Sequence, residues 1–428
     1  MSFLNSLFKE RKKTPVKCSL EPEAVSIDTL ETLIPVRNFS NDKLLAFATE
    51  AKSEVYPADT LLFSAGDQAD SVLYLLKGSV VLSDSSGQNY GIQAGTTKAK
   101  FPLSSGAVHT TTALTVSDVA VMRVSHNIMA SQHSEATPLA ELHIPEELSE
   151  NHLLQAFVQH YNNEEMEIPS LPDIAVRLRH AMQYDIGIAD AVKIIQLDPV
   201  ISAKLVEVAN CPLYVCSTPA KSCFTAVNRI GLHATRSLVI SLSIHHIFKS
   251  KSPVIKKHLD RIWKQSLYIS TLSYVLASVS KQANPEEALL AGLVCDIGAV
   301  PFLNFAANLP KDYYTETDIE QALPYVKGPI GYRILQNWGF TEDFIKIPLF
   351  SEDWYQNQGP ELDLTDIVVL SRLHSKIGLN HQLTELPAIT SIPAASKLKD
   401  YSLSPEHSLK ILHEAKQQVH EALAALVN

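Results

Sequence analysis

The stretch from Ile168 to Arg236 constrains the fold more than any other, because it alternates apolar helical stripes with residues that stop a helix. Pro169 and Pro172 push the residues before them out of the α region, so no helix begins ahead of Asp173. Asp173 is expected to cap a helix whose apolar positions Ile174, Leu178 and Met182 share one face. Ile188, Ala191, Val192 and Ile195 make a second stripe. Asp198-Pro199 closes it and opens a third helix, with Asp at the cap and Pro at the first helical position. Ile201, Leu205 and Val208 form that helix's buried face. Cys211-Pro212-Leu213-Tyr214 breaks it after Asn210, Ser222 caps a fourth helix through Val227 and Ile230, and Gly231 ends that one.

The rest of the chain does not share this pattern. At 428 residues it is too long for one ordinary core, and two domains are expected. Ser40-Asn41-Asp42 opens an amphipathic turn through Leu44, Leu45 and Phe47. From Glu54 the period becomes strand-like. Val55-Tyr56, Leu61 to Phe63, Val72 to Leu76, Val80 to Leu82, Tyr90 to Ile92 and Val119 to Val124 are short β-rich runs divided by turns at Ala65-Gly66-Asp67, Lys77-Gly78-Ser79 and Ser83 to Gly87. That spacing suits a small antiparallel barrel or sandwich. Ser131 to Glu167 is a proline-containing acidic join with one apolar helical patch at Leu153, Leu154, Phe157 and Val158, expected to pack on the second domain. Ser404-Pro405-Glu406 begins a terminal helix.

The totals exclude several function classes. A formal net charge of −10 argues against a non-specific nucleic-acid binder, which needs a cationic face to displace counterions, although a local basic patch is compatible with it. The five cysteines lack C-x-x-C pairing and suit a reducing cytosol. No run of about 20 apolar residues is visible, so no membrane span is expected. The N-terminus carries its charges after its apolar part, the reverse of a signal peptide, and reads as a flexible end. Phosphate-loop, nucleophile-elbow and dinucleotide-binding patterns are absent.

The proline-flanked start, the Asp198-Pro199 junction, the Ala209-Asn210 helix end and the Ala226 to Gly231 segment resemble the HDOD family, non-catalytic relatives of the HD phosphohydrolase fold. The likeness extends in weaker form to about residue 375. Phe63 to Val80 resembles the first half of a cyclic nucleotide-binding β-roll, with Gly66 and Gly78 at tight turns that need positive φ. In nucleotide-binding members a Gly-Glu pair holds the ribose and an Arg neutralises the phosphate. The corresponding region here, Phe101, Pro102, Leu103, Ser104, Ser105, Gly106, Ala107, Val108, His109, Thr110, Thr111, Thr112, Ala113, has neither Glu nor Arg, and Pro102 removes a backbone donor. The cassette is therefore expected to be degenerate.

The same comparison implies a lost metal site. An active HD enzyme gathers histidines and aspartates around metal, because the metal activates water and balances phosphate charge. Cys295-Asp296-Ile297-Gly298 stands where the resemblance implies His-Asp, Gln265 in Trp263-Lys264-Gln265-Ser266 stands where it implies His, and Leu349-Phe350 occupies downstream positions that often carry histidines. Asp296 alone cannot assemble a hard-metal site. His245-His246 on a helix would point about 100° apart, and His413 and His420 are a turn too far apart to chelate together.

These readings give an α+β multidomain chain. Residues 1–26 are a flexible N-terminus, 27–130 an antiparallel β-roll, 131–160 a linker with a short helix, 161–380 an all-α HD-like bundle, and 381–428 a loop with a C-terminal helix. The expected function is non-catalytic signal coupling without a cofactor, in a bacterial-type cytoplasmic protein. Partners implied by the resemblance are other signalling proteins, among them cyclic-dinucleotide enzymes or histidine kinases, and a homodimer is an option. The rivals are a metal-dependent phosphohydrolase with a rearranged site, using Asp296 with His245, His246 or His374, and a cyclic nucleotide sensor built on His109 and the Ser104 to Thr112 segment.

Overall fold

The structure, a computed structural model, describes residues 18–85, 87–126, 142, 144–163, 166–182, 184, 186–211, 214, 218–310, 312–377, 386–399, 409, 410 and 412. Residues 1–17 of the expected flexible N-terminus, residues 131–141 of the join, and His413 and His420 of the expected terminal helix lie outside these residues. Residues 18–26 correct the expectation of a flexible end: Ala24 forms a β-bridge with Lys52, and Val25 is buried in the core beside Leu30 and Val36. Two units emerge. The first contains residues 1–132 and 384–392, and the second residues 133–383 and 393–428. The chain thus returns to the first unit for a few residues after the second is nearly complete.

The first unit holds two antiparallel sheets. β1 (Ser53–Tyr56), β7 (Val119–Ser125) and β3 (Ser71–Lys77) form one, in the order β1-β7-β3. β2 (Leu61–Phe63), β6 (Thr112–Thr115), β4 (Ser79–Ser83) and β5 (Asn89–Gln93) form the other, in the order β2-β6-β4-β5. β5 alternates exposed and buried residues, with Tyr90 and Ile92 inward, the period of a strand with one wet face. β6 is absent from the sequence reading because its first half, Thr112–Ala113, falls in the stretch assigned to the cassette; its Ala113 pairs with Leu82 and its Leu114 with Val81. The short helix Ile27–Leu30 and the helix Asn41–Glu50, whose cap Ser40 accepts from Lys43 N, close one face of the roll. Leu30, Val36, Leu44, Val72, Tyr74, Met122 and Val124 share that core. Gly78 has φ +84°, and a Cβ there would lie 2.2 Å from the Asp118 carbonyl, so the turn before β4 needs glycine on both counts.

The second unit is helical. Helices Asp173–Met182, Ile188–Ile195, Pro199–Ala209 and Cys223–Ile230 follow the expected punctuation. Asp198 accepts from Val200 N and Ile201 N, and Ser222 accepts from Thr225 N. Asp173 departs from expectation: the first turn's amides donate to the Pro172 carbonyl, and Asp173 lies inside the helix, paired with Arg177 at 2.6 Å. Asn210 does more than end a helix. Its amide donates to the Ala220 carbonyl at 2.9 Å and its carbonyl accepts from Ala220 N at 2.6 Å, clamping the break between two helices.

Gly231, at φ +88°, separates Cys223–Ile230 from Leu232–Ile244. His245 and His246 then lie in a 3-10 turn, His245–Ile247, and not in the α-helix expected of them. Pro253–Ser280 is the longest of the described helices. Pro285–Val294 packs on it so closely that a Cβ on Gly292 would lie 2.5 Å from Ser270 Cα. Ala299–Ala307, Glu316–Asn337, Glu342–Ile345, Ile347–Phe350, Leu364–Ile377 and Pro393–Ser396 complete the described helices. The join's helix, His152–Asn162, packs here as expected, with Phe157 edge-on to Phe302 at 5.1 Å. Pro285–Ala307 is long and apolar enough to cross a membrane, contrary to the sequence reading; 89% of its most apolar window is buried inside the unit, the behaviour of a core segment.

Candidate functional site

In the helical unit the turn between Pro285–Val294 and Ala299–Ala307 carries Cys295 and Asp296, both buried. Gly298 decides what meets them: a Cβ there would lie 1.9 Å from the Lys327 carbonyl and 2.4 Å from Gly331 N. Only glycine lets the Glu316–Asn337 helix come this close, and the approach brings Lys327 onto Asp296. Lys327 Nζ lies 2.9 Å from Asp296 Oδ1 and 2.9 Å from Glu352 Oε1. Arg372, from Leu364–Ile377, is fully buried; it reaches Asp296 Oδ2 at 3.0 Å and Glu352 Oε1 at 3.0 Å, and donates to Cys295 Sγ at 2.9 Å.

Two carboxylates and two cations thus close on one another. Burial alone would raise the Asp296 pKa, but Arg372 and Lys327 outweigh it and hold the carboxyl far below the usual range. Burial would likewise lower Lys327, and Asp296 raises it instead. Burial pushes the Cys295 thiol up to about 12, so it is no thiolate ligand. Chemically, each Asp296 oxygen faces a cation, Oδ2 Arg372 and Oδ1 Lys327, the latter by charge alone and without a hydrogen bond, and a divalent metal would add charge where charge is already balanced.

Of the other residues expected here, His374 lies on the Leu364–Ile377 helix that carries Arg372, and Gln265 and His245 are elsewhere. Gln265 is exposed on Pro253–Ser280 and does not share the buried surroundings of Cys295 and Asp296. His245 stacks on Trp263 with ring centroids 4.6 Å apart, at the wall of a cavity of about 310 Å³ that Val200, Leu242 and Leu267 also line. Among the described residues no three of His, Cys, Asp and Glu are grouped to hold a metal ion. Sequence reasoning missed Lys327, Glu352 and Arg372. The available signal was Arg372 itself, a charge four residues after Val368 in the apolar run Ile367–Leu373.

The β-roll presents a second candidate. Leu103 N donates to the Leu73 carbonyl at 2.7 Å, laying the cassette beside β3. Phe101, Pro102, Ser104, Ser105 and His109 are buried and Thr110 half-buried. His109 stacks on Phe63 at 4.0 Å, with Nδ1 2.8 Å from Ser104 Oγ. Burial lowers its pKa, so the ring is uncharged at neutral pH and supplies no phosphate counterion. Three hydroxyls, those of Ser105, Thr110 and Tyr90, face residues 388–392 of the same unit, while Thr112 Oγ1 accepts from Ala65 N at 3.0 Å. Ser105 Oγ donates to the Ser391 carbonyl, Thr110 Oγ1 donates to the Thr390 carbonyl at 2.7 Å, and Tyr90 Oη hydrogen-bonds Thr390 Oγ1.

Comparisons with known proteins find likenesses to each half. The HDOD domain model matches residues 168–353, the stretch that contains Asp296, Lys327 and Glu352. Residues 168–353 are an HDOD domain. Arg372, which completes the network, lies beyond the matched part of the HDOD domain. A protein from Shewanella amazonensis, named provisionally as a metal-dependent phosphohydrolase, is 23% identical with a TM-score of 0.56, over 65% of this chain and 99% of its own. An HDOD domain protein of unknown function from Geobacter sulfurreducens is 21% identical with a TM-score of 0.48, over 64% of this chain and 96% of its own. A cyclic nucleotide-binding-like protein from Brucella abortus matches the N-terminal region at 20% identity and a TM-score of 0.20, over 26% of this chain and 97% of its own. A comparison with curated proteins gives no match.

Proposed function

We propose that this protein transmits a signal by binding and does no chemistry of its own: the β-roll receives, and the HDOD domain presents a surface to a second signalling protein. The observation that carries this reading is that both Asp296 oxygens lie within 3.0 Å of a cationic side chain, Oδ1 of Lys327 and Oδ2 of Arg372. Metal-assisted hydrolysis needs open carboxylates and an ion that lowers the pKa of a bound water. Here two cationic side chains hold the carboxylate that would have to serve, and Cys295 beside it is a neutral thiol donating to the Gly292 carbonyl at 3.0 Å. The Shewanella protein's name suggests phosphohydrolysis; in this chain the residues around Asp296 favour a structural role for the same turn.

The proposed partners are cyclic-dinucleotide enzymes or histidine kinases in the cytoplasm. The test adds the purified full chain to such enzymes from the same genome and follows their rates of dinucleotide synthesis or autophosphorylation. The expected result is a saturable change in a partner's rate, with no phosphodiester turnover by the chain alone. Turnover by the chain alone that disappears in Asp296→Asn would overturn the reading.

A further inference from the structure

We propose that the β-roll is a peptide-binding module whose ligand is the chain's own Ala388–Ile392 segment. This deepens the relay reading above and rests on it, since it says what the receiving half holds. A cyclic nucleotide brings a negative charge, which a buried site must balance with a cation. The cassette from Phe101 to Ala113 contains no Lys or Arg, and His109 is stacked and uncharged. It offers hydroxyl donors, and hydroxyl donors match neutral acceptors such as peptide carbonyls. Two of the three contacts follow that logic, with Ser105 donating to the Ser391 carbonyl and Thr110 to the Thr390 carbonyl.

The segment is shaped for the role. Ser391 N donates to the Ala388 carbonyl at 2.9 Å and Ser391 Oγ donates to it at 2.8 Å, so Ile389–Ser391 is held as a 3-10 turn that aims successive carbonyls outward. Ile389, Thr390, Ser391 and Ile392 are each at most 3% exposed. Apolar burial of the two isoleucines supplies affinity, and the hydroxyl–carbonyl pairs fix position. Tethering within one chain raises the local concentration of the segment to the millimolar range or above, so modest contacts keep the site filled. Release matters because Ile392 is bonded to Pro393, which opens the short helix Pro393–Ser396 of the other unit. Anything that draws the segment from the roll therefore changes the constraint on the chain where it enters the HDOD-bearing unit.

The experiment is hydrogen exchange on the full chain. In the wild type the amides of residues 389–391 should be protected. In a Ser105→Ala, Thr110→Val double variant their exchange should rise by about tenfold or more, while β3 and β7 amides keep their protection and show that the roll is folded. A second variant, Thr390→Asp, places a carboxylate against buried Tyr90 and should expel the segment. A labelled synthetic peptide of residues 386–396 should then bind this variant and not the wild type. Exchange of 389–391 at free-peptide rates in the wild type would overturn the proposal, as would failure of the peptide to bind a folded Thr390→Asp chain. Release of the segment by cyclic AMP would also overturn it, by showing an anion site. None of these readouts depends on a partner's enzyme rates, so failure of the relay reading is seen separately.

Discussion

Replacing Arg372 with Met keeps the length of an unbranched side chain in the Leu364–Ile377 helix and removes one of the two cations facing Asp296. Removing one partner of a buried pair costs about 3–5 kcal/mol, because the other charge is left uncompensated. The network decides where in that range the value falls. Glu352 is 34% exposed, so water replaces much of what Arg372 gives it. Asp296 is only 5% exposed and depends on its partners, but Lys327 remains at 2.9 Å. The loss should therefore be near about 3 kcal/mol. All three tryptophans, Trp263, Trp338 and Trp354, lie in the helical unit, so urea unfolding followed by their fluorescence reports this unit alone. Adding Asp296→Asn to Arg372→Met removes the stranded charge and should recover part of the loss, with a coupling energy of about 2 kcal/mol. A single variant within about 1 kcal/mol of wild type, or a double variant whose cost is the plain sum of the singles, would refute the idea that these groups balance one another.

Three further outcomes follow from the same geometry. Gly298→Ala, which forces a Cβ to 1.9 Å from the Lys327 carbonyl, should destabilise the helical unit by about 1–3 kcal/mol in the same urea assay. Asp366 is buried between Gln356 Nε2 at 2.7 Å and Lys397 Nζ at 2.8 Å, and burial together with Asp363 pushes its pKa up to about 6 from 3.8. A carboxyl raised on folding favours the native state at pH values below its unfolded pKa and loses that contribution as pH rises through about 6. Stability from this group should fall by up to about 3 kcal/mol between pH 4 and pH 7, and Asp366→Asn should flatten that slope. Asp296 has the opposite sign: its contribution is present above pH 3.8 and is lost only far below it. Cyclic AMP at millimolar concentration should leave the thermal midpoint of the full chain unmoved, whereas a ligand at a hundredfold its Kd would add about 2.7 kcal/mol.

The fold was legible wherever local chemistry decides it. Asp198-Pro199, Ser222 and Gly231 mark helix ends by capping and backbone rules that need no partner, and each does so in the structure. Gly66 and Gly78 take positive φ at the expected turns. Asp173 was misjudged because Pro172 already supplies the carbonyl that opens its helix, leaving the aspartate free to pair with Arg177. β6 was missed because a run of threonines reads as polar loop until β4 lies beside it.

The candidate sites depended on distance in sequence. Cys295 and Asp296 stood out by their place in a motif, but Lys327, Glu352 and Arg372 come from three separate helices or turns and belong to no motif. Their meeting is a product of packing, and the local hints were Gly298 and the charge of Arg372 in an apolar run. Asp363-Leu364-Thr365-Asp366 has capping-box spacing and could have located the buried carboxyl at Asp366, which accepts from Asp363 N at 3.1 Å while its own amide donates to Asp363 at 2.7 Å. Nothing in residues 101–113 announces that residues 388–392 lie against them, because contacts so far apart in the chain leave no periodicity to read.

The most direct test of the central claim is elemental analysis of the full chain purified without chelator, read beside hydrolysis of a generic phosphodiester by the same sample. With the Asp296 oxygens held by Lys327 and Arg372, the account predicts iron, manganese and zinc well below one equivalent and no turnover, unchanged in Asp296→Asn. Near-stoichiometric metal with turnover, both lost in Asp296→Asn, would contradict it.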